Sequence, residues 1–152
     1  MSGLVLDTNV VSHYIHPRAK VRSPRLLDRV GKLLASGEAT LSRVTVYELR
    51  RGLLVDEAHG QGQRKAIKLE LFIRSVVVLG LDEGGGHSWD VAAHLWAKTK
   101  AHVPAITLEE ADLLIAATAI AYGRVLATCD GNLADRLDDL GLGQHVQRWK
   151  QE

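Results

Sequence analysis

Leu4-Val5-Leu6-Asp7-Thr8-Asn9 decides how this chain is read. Three apolar residues run into an acid and two short polar residues, the pattern of a buried strand that stops at a carboxylate. In open α/β sheets the ligand crevice lies outside the carboxyl ends of the strands. Asp7 is therefore expected where such folds do their chemistry. A plainer account is that Asp7 or Thr8 only caps the following helix, since Asp and Thr are good N-caps. Three more acids at comparable places tip the balance toward chemistry.

Working outward, the segments alternate. Val10 to Ile15 reads as a short helix ended by Pro17. Ser23-Pro24 opens a second helix, with Pro where its missing N–H costs little. Leu26, Leu27, Val30, Leu33 and Leu34 form its apolar stripe, and Gly37 closes it. Ala39 to Val44 is a strand candidate, followed by a helix from Thr45 to Leu54 and a polar loop from Asp56 to Gly62. Gln63 to Arg74 is amphipathic. Val76 to Leu81 is apolar throughout, the mark of a strand buried on both faces. Asp82 to Gly86 is a turn, Ser88 to Ala101 a helix and Thr107 to Tyr122 a strongly apolar helix. Val125 to Thr128 is a strand, Asn132 to Leu140 a helix and Val146 to Trp149 a short last strand. Strands alternating with helices imply an α/β fold, a parallel sheet covered on both faces. No repeat, low-complexity tract or linker interrupts the chain, which reads as one domain over residues 1–152.

Bulk composition narrows the function. A chain of 152 residues suits one domain with a real core. Hydrophobic residues make up 46% and charged residues 24%, ordinary for a globular protein. The net charge is +1, so no global field points to nucleic acid and local clusters must carry that argument. The single cysteine, Cys129, excludes an intrachain disulfide and a cysteine-rich zinc site. No apolar run approaches the ~18 residues of a membrane helix, and no signal peptide is evident. A cytoplasmic protein is expected.

The four acids differ in how bland they are. Glu48 sits in Thr45-x-x-Glu48, a capping-box pattern in which it would only bond a backbone N–H. Thr107-x-x-Glu110 is a second such box, which gives Glu110 a structural job, and Glu109 suits the positive end of the helix dipole. Asp112 stands apart. Its neighbours one turn away are Leu108, Ile115 and Ala116, and a carboxylate turned toward such a face is costly unless it is paired or binds a metal. Asp130 follows its strand as Asp7 follows Leu4 to Leu6, although Asp130-Gly131-Asn132 is also ordinary turn composition. Two acids at strand ends and two near helix starts can meet in one pocket. Such a cluster repels itself unless a divalent cation sits among its members. Oxygen ligands select Mg²⁺ or Mn²⁺, ions that activate water and stabilise phosphoryl oxygens.

These residues resemble the PIN domain, specifically the VapC-type toxins of toxin–antitoxin pairs. The resemblance rests on Leu-Asp-Thr-Asn at 6–9, Glu-Leu-x-x-Gly at 48–52, Asp-Leu-Leu-Ile-Ala-Ala-Thr-Ala at 112–119 and Leu-Ala-Thr-Cys-Asp at 126–130, with Gly141-Leu142 and Val146-Gln147-Arg148-Trp149 closing the pattern. It covers nearly the whole chain. It implies a three-layer α/β/α fold, with a parallel sheet of four to five strands flanked by helices, and a Mg²⁺- or Mn²⁺-dependent endoribonuclease. By position, Asp7, Glu48, Asp112 and Asp130 become the catalytic and metal-binding acids. Thr8, Asn9 and Thr128 match the polar residues beside them. The fourth position departs from many relatives: Cys129 replaces an Arg, Asp130 an Asn, and Leu133 stands where a later acid falls. Asp130 is taken as the fourth acid, with Asp135 as the substitute. The family also implies a homodimer silenced by a cognate VapB-type antitoxin.

RNA needs cationic contacts. Arg18, Lys20, Arg22 and Arg25 follow the Asp7 helix, and Arg50 and Arg51 lie beside Glu48, so these six are the candidates. Aromatic residues are only 5%, which argues against extensive base stacking, and Trp89, Trp96 and Trp149 are read as core or interface. The seven histidines show no ligand spacing. Two other readings stand beside the ribonuclease. A haloacid-dehalogenase-type phosphohydrolase also begins with a strand ending in Asp, but wants a second Asp where Asn9 stands. A non-catalytic binding module that kept the fold would not need all four acids.

Overall fold

The computed structural model describes residues 3–152. One parallel five-stranded sheet runs through the molecule: β1 (Leu4–Leu6), β2 (Ala39–Ser42), β3 (Val77–Leu79), β4 (Val125–Thr128) and β5 (Val146–Arg148). Their order across the sheet is β3-β2-β1-β4-β5. From β1 the chain builds outward to β2 and β3, then returns to the other side of β1 for β4 and β5. The order reverses between β1 and β4, so the crevice of this sheet opens at their carboxyl ends.

Eight helices cover the sheet: α1 (Thr8–Ile15), α2 (Ala19–Arg22), α3 (Pro24–Ser36), α4 (Arg43–Ala58), α5 (Gln63–Arg74), α6 (Glu83–Ala101), α7 (Glu110–Ala121) and α8 (Gly131–Asp139). Alternation along β1 divides the core. Leu6 joins Val10, Val30, Leu41, Val46, Phe72 and Trp149 on the face covered by α1, α3, α4 and α5. Val5 joins Leu95, Leu113, Ile115, Leu126 and Leu137 on the face covered by α6, α7 and α8. Each fully buried aliphatic side chain contributes roughly 1.5–3 kcal/mol of transfer free energy. No helix among the described residues is long and apolar enough to cross a membrane.

Several local expectations are corrected. The Val76–Leu81 segment is not buried on both faces. β3 is an edge strand, paired only with β2, and Val77 is 62% exposed. The helix expected from Thr45 begins at Arg43 and runs to Ala58. Its N-cap is Ser42, whose hydroxyl accepts the Val44 N–H, so Thr45 and Glu48 form no capping box. The helix expected from Thr107 begins at Glu110, and Glu109 caps it without a side-chain bond. A short helix, α2, precedes Pro24, where the sequence pattern assigns no element. Gly84, Gly85 and Gly86 all have φ between 68° and 77°, which breaks the first turn of α6 as the expected turn requires. Trp149 is core, but Trp89 and Trp96 are about half exposed.

Ser42 links the sheet to two helices. Beyond capping α4, its buried hydroxyl lies 3.3 Å from the Thr118 hydroxyl on α7. Ser42→Ala is expected to cost about 1–2 kcal/mol, a lost cap plus one lost contact to the Thr118 hydroxyl, which keeps its bond to the Leu114 carbonyl. Urea denaturation checks this, and a change under about 0.3 kcal/mol would remove the cap from the account.

Candidate active site

The carboxyl ends of β1 and β4 carry a connected set of polar side chains. Asp7 follows Leu6 directly, and its N–H donates to the Ala127 carbonyl at 2.9 Å, which seats it beside β4. The Asp7 side chain is only 3% exposed. Its Oδ1 accepts the Thr8 N–H at 2.8 Å, and its Oδ2 accepts the Thr128 hydroxyl at 2.7 Å. Asp7 is also the N-cap of α1. The capping role and the position at the strand end therefore coexist.

Thr128 is the hub. Its hydroxyl donates to Asp7 and accepts from the Asp130 N–H at 3.0 Å and from Asn9 Nδ2 at 3.3 Å. Asn9 Oδ1 in turn accepts the Cys129 N–H at 3.0 Å. Asp130 caps α8, with Oδ1 accepting from the N–H groups of Asn132 and Leu133. On the other flank, Thr8 donates its hydroxyl to Glu48 Oε1 at 2.6 Å, and the buried Thr45 hydroxyl lies 3.2 Å from it. Glu48 is thus bonded by the sequence-distant Thr8 rather than by a backbone N–H of its own helix. One hydrogen-bonded set joins Asp7, Thr8, Asn9, Glu48, Thr128 and Asp130.

Asp112, half-buried in the first turn of α7, joins this set through its field. Its carboxyl forms no hydrogen bond and no ion pair among the described residues. Burial, and next the negative charge of Asp7, push it up to about 6, with Glu109, Glu48 and Asp130 adding to the effect. The Asp7 carboxyl is also raised. Burial is the main cause, opposed by its bonds from Thr128 and Thr8 and reinforced by the charges of Glu48 and Asp130. The same surroundings raise the Cys129 thiol to about 11, through burial and the charge of Asp7.

Four carboxylates therefore share one field with little to offset it. The only cation paired with any of them among the described residues is Arg51, 3.6 Å from Glu48. An all-oxygen, negatively charged set suits a hard divalent cation in donor chemistry and in charge. The side chains do not form a closed cage, since no three acids, histidines or cysteines among the described residues are grouped to hold an ion. In donor type and uncompensated charge the residues fit such a metal.

The other sequence candidates fall in different places. Asp135 is exposed on α8 and lines a hollow of about 450 Å³ with Asn9, Cys129 and Asp130. Arg18, Lys20 and Arg22 are exposed around α2, with Arg22 Nη1 3.0 Å from the His16 ring. Arg50 turns away to Glu70 on α5 at 3.2 Å and borders a groove of about 640 Å³ between α4 and α5. Arg25 lies near the chain's C-terminal segment. The sequence reading missed Arg148, which lines the Asp130 hollow, and the closeness of the Thr45 hydroxyl to that of Thr8. Only the pairing of β5 with β4 reveals the first.

A doubly wound sheet whose order reverses beside a buried, acid-only centre defines the class: an α/β domain built to work at its carboxyl edge. The model of the PIN domain matches residues 4–139, and the chain belongs to that family. PIN domains are nucleases, which supports a hydrolase acting on nucleic acid. Among solved structures, the chain is similar to VapBC2 from Rickettsia felis bound to a promoter DNA fragment, with 18% identity and a TM-score of 0.76 over 97% of this chain and 98% of that one. It is similar to VapBC-1 from nontypeable Haemophilus influenzae, with 25% identity and a TM-score of 0.68 over 96% and 97%. It is also similar to FitAcB from Neisseria gonorrhoeae, with 24% identity and a TM-score of 0.66 over 97% of each chain. No curated protein matches the sequence.

Proposed function

We propose that this chain is the toxin of a toxin–antitoxin pair, an endoribonuclease that hydrolyses RNA phosphodiester bonds and depends on Mg²⁺, with Mn²⁺ as a substitute. The observation that carries the reading is the continuous set of bonds from Glu48 through Thr8 and Asp7 to Thr128 and Asp130, with the unpaired Asp112 in the same field. Asp7, Glu48, Asp112 and Asp130 would hold the ion. When bound, such an ion lowers the pKa of a water molecule and stabilises charge on phosphoryl oxygens. The chain's own residues set the stage for that step. Thr128 fixes the direction of the Asp7 carboxylate, and Thr8 fixes that of Glu48. Asp130 spends one oxygen on α8, and its other oxygen accepts no hydrogen bond among the described residues. The buried position of Asp7 keeps bulk water from the floor of the site.

The described residues act as one domain, within a single domain spanning residues 1–152. The partners in this reading are an RNA substrate, a cognate VapB-type antitoxin and a second copy of the chain, in the cytoplasm. The likeness to toxin–antitoxin complexes supports the antitoxin, and the family supports the nuclease. A dehalogenase-type phosphohydrolase fits less well, because Asn9 stands in place of its second acid and is tied to Thr128 and Cys129. The test is cleavage of a mixed RNA pool by the purified chain. Cleavage is expected with Mg²⁺ or Mn²⁺ and is expected to stop when EDTA is added. Cleavage that continues unchanged in EDTA would overturn the metal-dependent reading.

A further inference from the structure

The hollow beside Asp130 does not end at the acids. Arg148 lines it, and Arg148 also lines a second hollow of about 330 Å³ together with Arg25, Arg29, Trp149 and Lys150. The two depressions meet at this side chain. One wall of the pair is acidic, with Asp130 and Asp135. The other carries four cations against one acid, Glu152.

The cations are held in place by the fold. Arg148 is the register partner of Thr128, and Trp149 donates its N–H to the Thr128 carbonyl at 2.7 Å. The strand residue that orients Asp7 therefore also sets the position of Arg148. The guanidinium lies across the first residue of α8: a Cβ on Gly131 would stand 2.6 Å from its Cζ. Arg29 stacks over the buried Trp149 ring, 3.9 Å from the centroid, which leaves its N–H edges free to donate. None of Arg25, Arg29, Arg148 and Lys150 forms an ion pair within 4.0 Å among the described residues, although Asp130 and Asp135 are near. Four unpaired cations lining one hollow that adjoins an acidic centre have the chemistry of a phosphate track, since each guanidinium can grip a phosphate with two N–H groups.

We propose that single-stranded RNA leaves the acidic centre over the β5 edge, with one phosphate on Arg148 and the following phosphates on Lys150, Arg29 and Arg25. This rests on the ribonuclease reading above. It assigns the strand a path that the six sequence candidates did not contain, since only Arg25 is shared. Arg18, Lys20 and Arg22 stay outside both hollows.

The experiment measures binding apart from cleavage. The full chain carrying Asp7→Asn is titrated, without divalent ions, into a fluorescein-labelled oligouridylate of about 16 nucleotides at several KCl concentrations. Arg148→Ala with Lys150→Ala is expected to weaken binding about tenfold. It should also flatten the plot of log K against log salt by about 0.7 for each lost contact. Arg148→Lys, which keeps the charge, should restore most of the slope, whereas loss of a purely structural side chain would not respond to charge. Arg74→Ala, on the far end of α5, serves as the comparison. An unchanged slope in the double variant, or an equal loss in Arg74→Ala, overturns the track and leaves the nuclease reading standing. A parent protein that does not bind the oligonucleotide at all also overturns the track, while the nuclease reading is decided separately by cleavage with Mg²⁺ and with EDTA.

Discussion

Asp7→Asn is expected to lower RNA cleavage by about 10³-fold or more while leaving the fold intact. Groups that act as one unit lose most of their rate when any member is removed, and Asp7 is the member in contact with both flanks of the site. It accepts from Thr128 on β4 and from Thr8, which in turn holds Glu48. The substitution keeps the shape and, with its one oxygen on the Thr8 N–H, the cap of α1, but it removes the charge and the acceptor of the Thr128 hydroxyl. Stability separates this from simple damage. The buried Asp7 carboxyl is raised, so its ionised form is a strain on the folded protein at neutral pH. In metal-free buffer the melting temperature of Asp7→Asn should therefore match or exceed that of the parent. A variant that cleaves normally, or one that melts many degrees lower, would show that the side chain serves packing instead of chemistry.

The second large effect belongs to Asp112. Its carboxyl lies near 6 in the folded chain against an ordinary 3.8, chiefly through burial and then through Asp7. The native state thus binds this proton more tightly than the unfolded chain does. By linkage, the group makes the fold less stable as pH rises from about 4 to about 6, and that penalty persists at pH 7. The metal-free protein should gain stability as pH is lowered from about 7 toward 5, against the usual trend for acidic residues. Asp112→Asn should raise the melting temperature at pH 7, remove most of that slope and cut cleavage by about 10²-fold or more. Differential scanning calorimetry from pH 5 to 8 reads the first two effects. An identical slope in parent and variant would assign the titration to another group.

Strain of this kind is what the sequence could foresee. The apolar runs ending at Asp7 and Asp130, and an acid between Leu108 and Ile115, are local patterns. Local patterns also placed Gln63–Arg74 and Val125–Thr128 at their observed bounds. What failed depended on distant partners. Whether Val76–Leu81 lies at the centre or the edge of the sheet is decided by strand order, and the order places it outermost. The capping box at Thr45 looked sound, but Ser42 starts the helix two residues earlier and Glu48 is claimed by Thr8, forty positions away in sequence. Arg148 was invisible for the same reason, because its closeness to Asp130 exists only once β5 lies against β4.

The bond from Thr128 to Asp7 has a temporal meaning for a cell that makes this chain. It spans 121 positions, and the central strand cannot gain its β4 neighbour until residues 125–128 have left the ribosome. Contacts this distant in sequence form late, after the cost of closing a long loop. Until then the growing polypeptide carries Asp7 and Glu48 but lacks the hydroxyl that aims the first of them. A fragment that stops short of β4 therefore holds the Asp7 carboxyl without the bond that aims it.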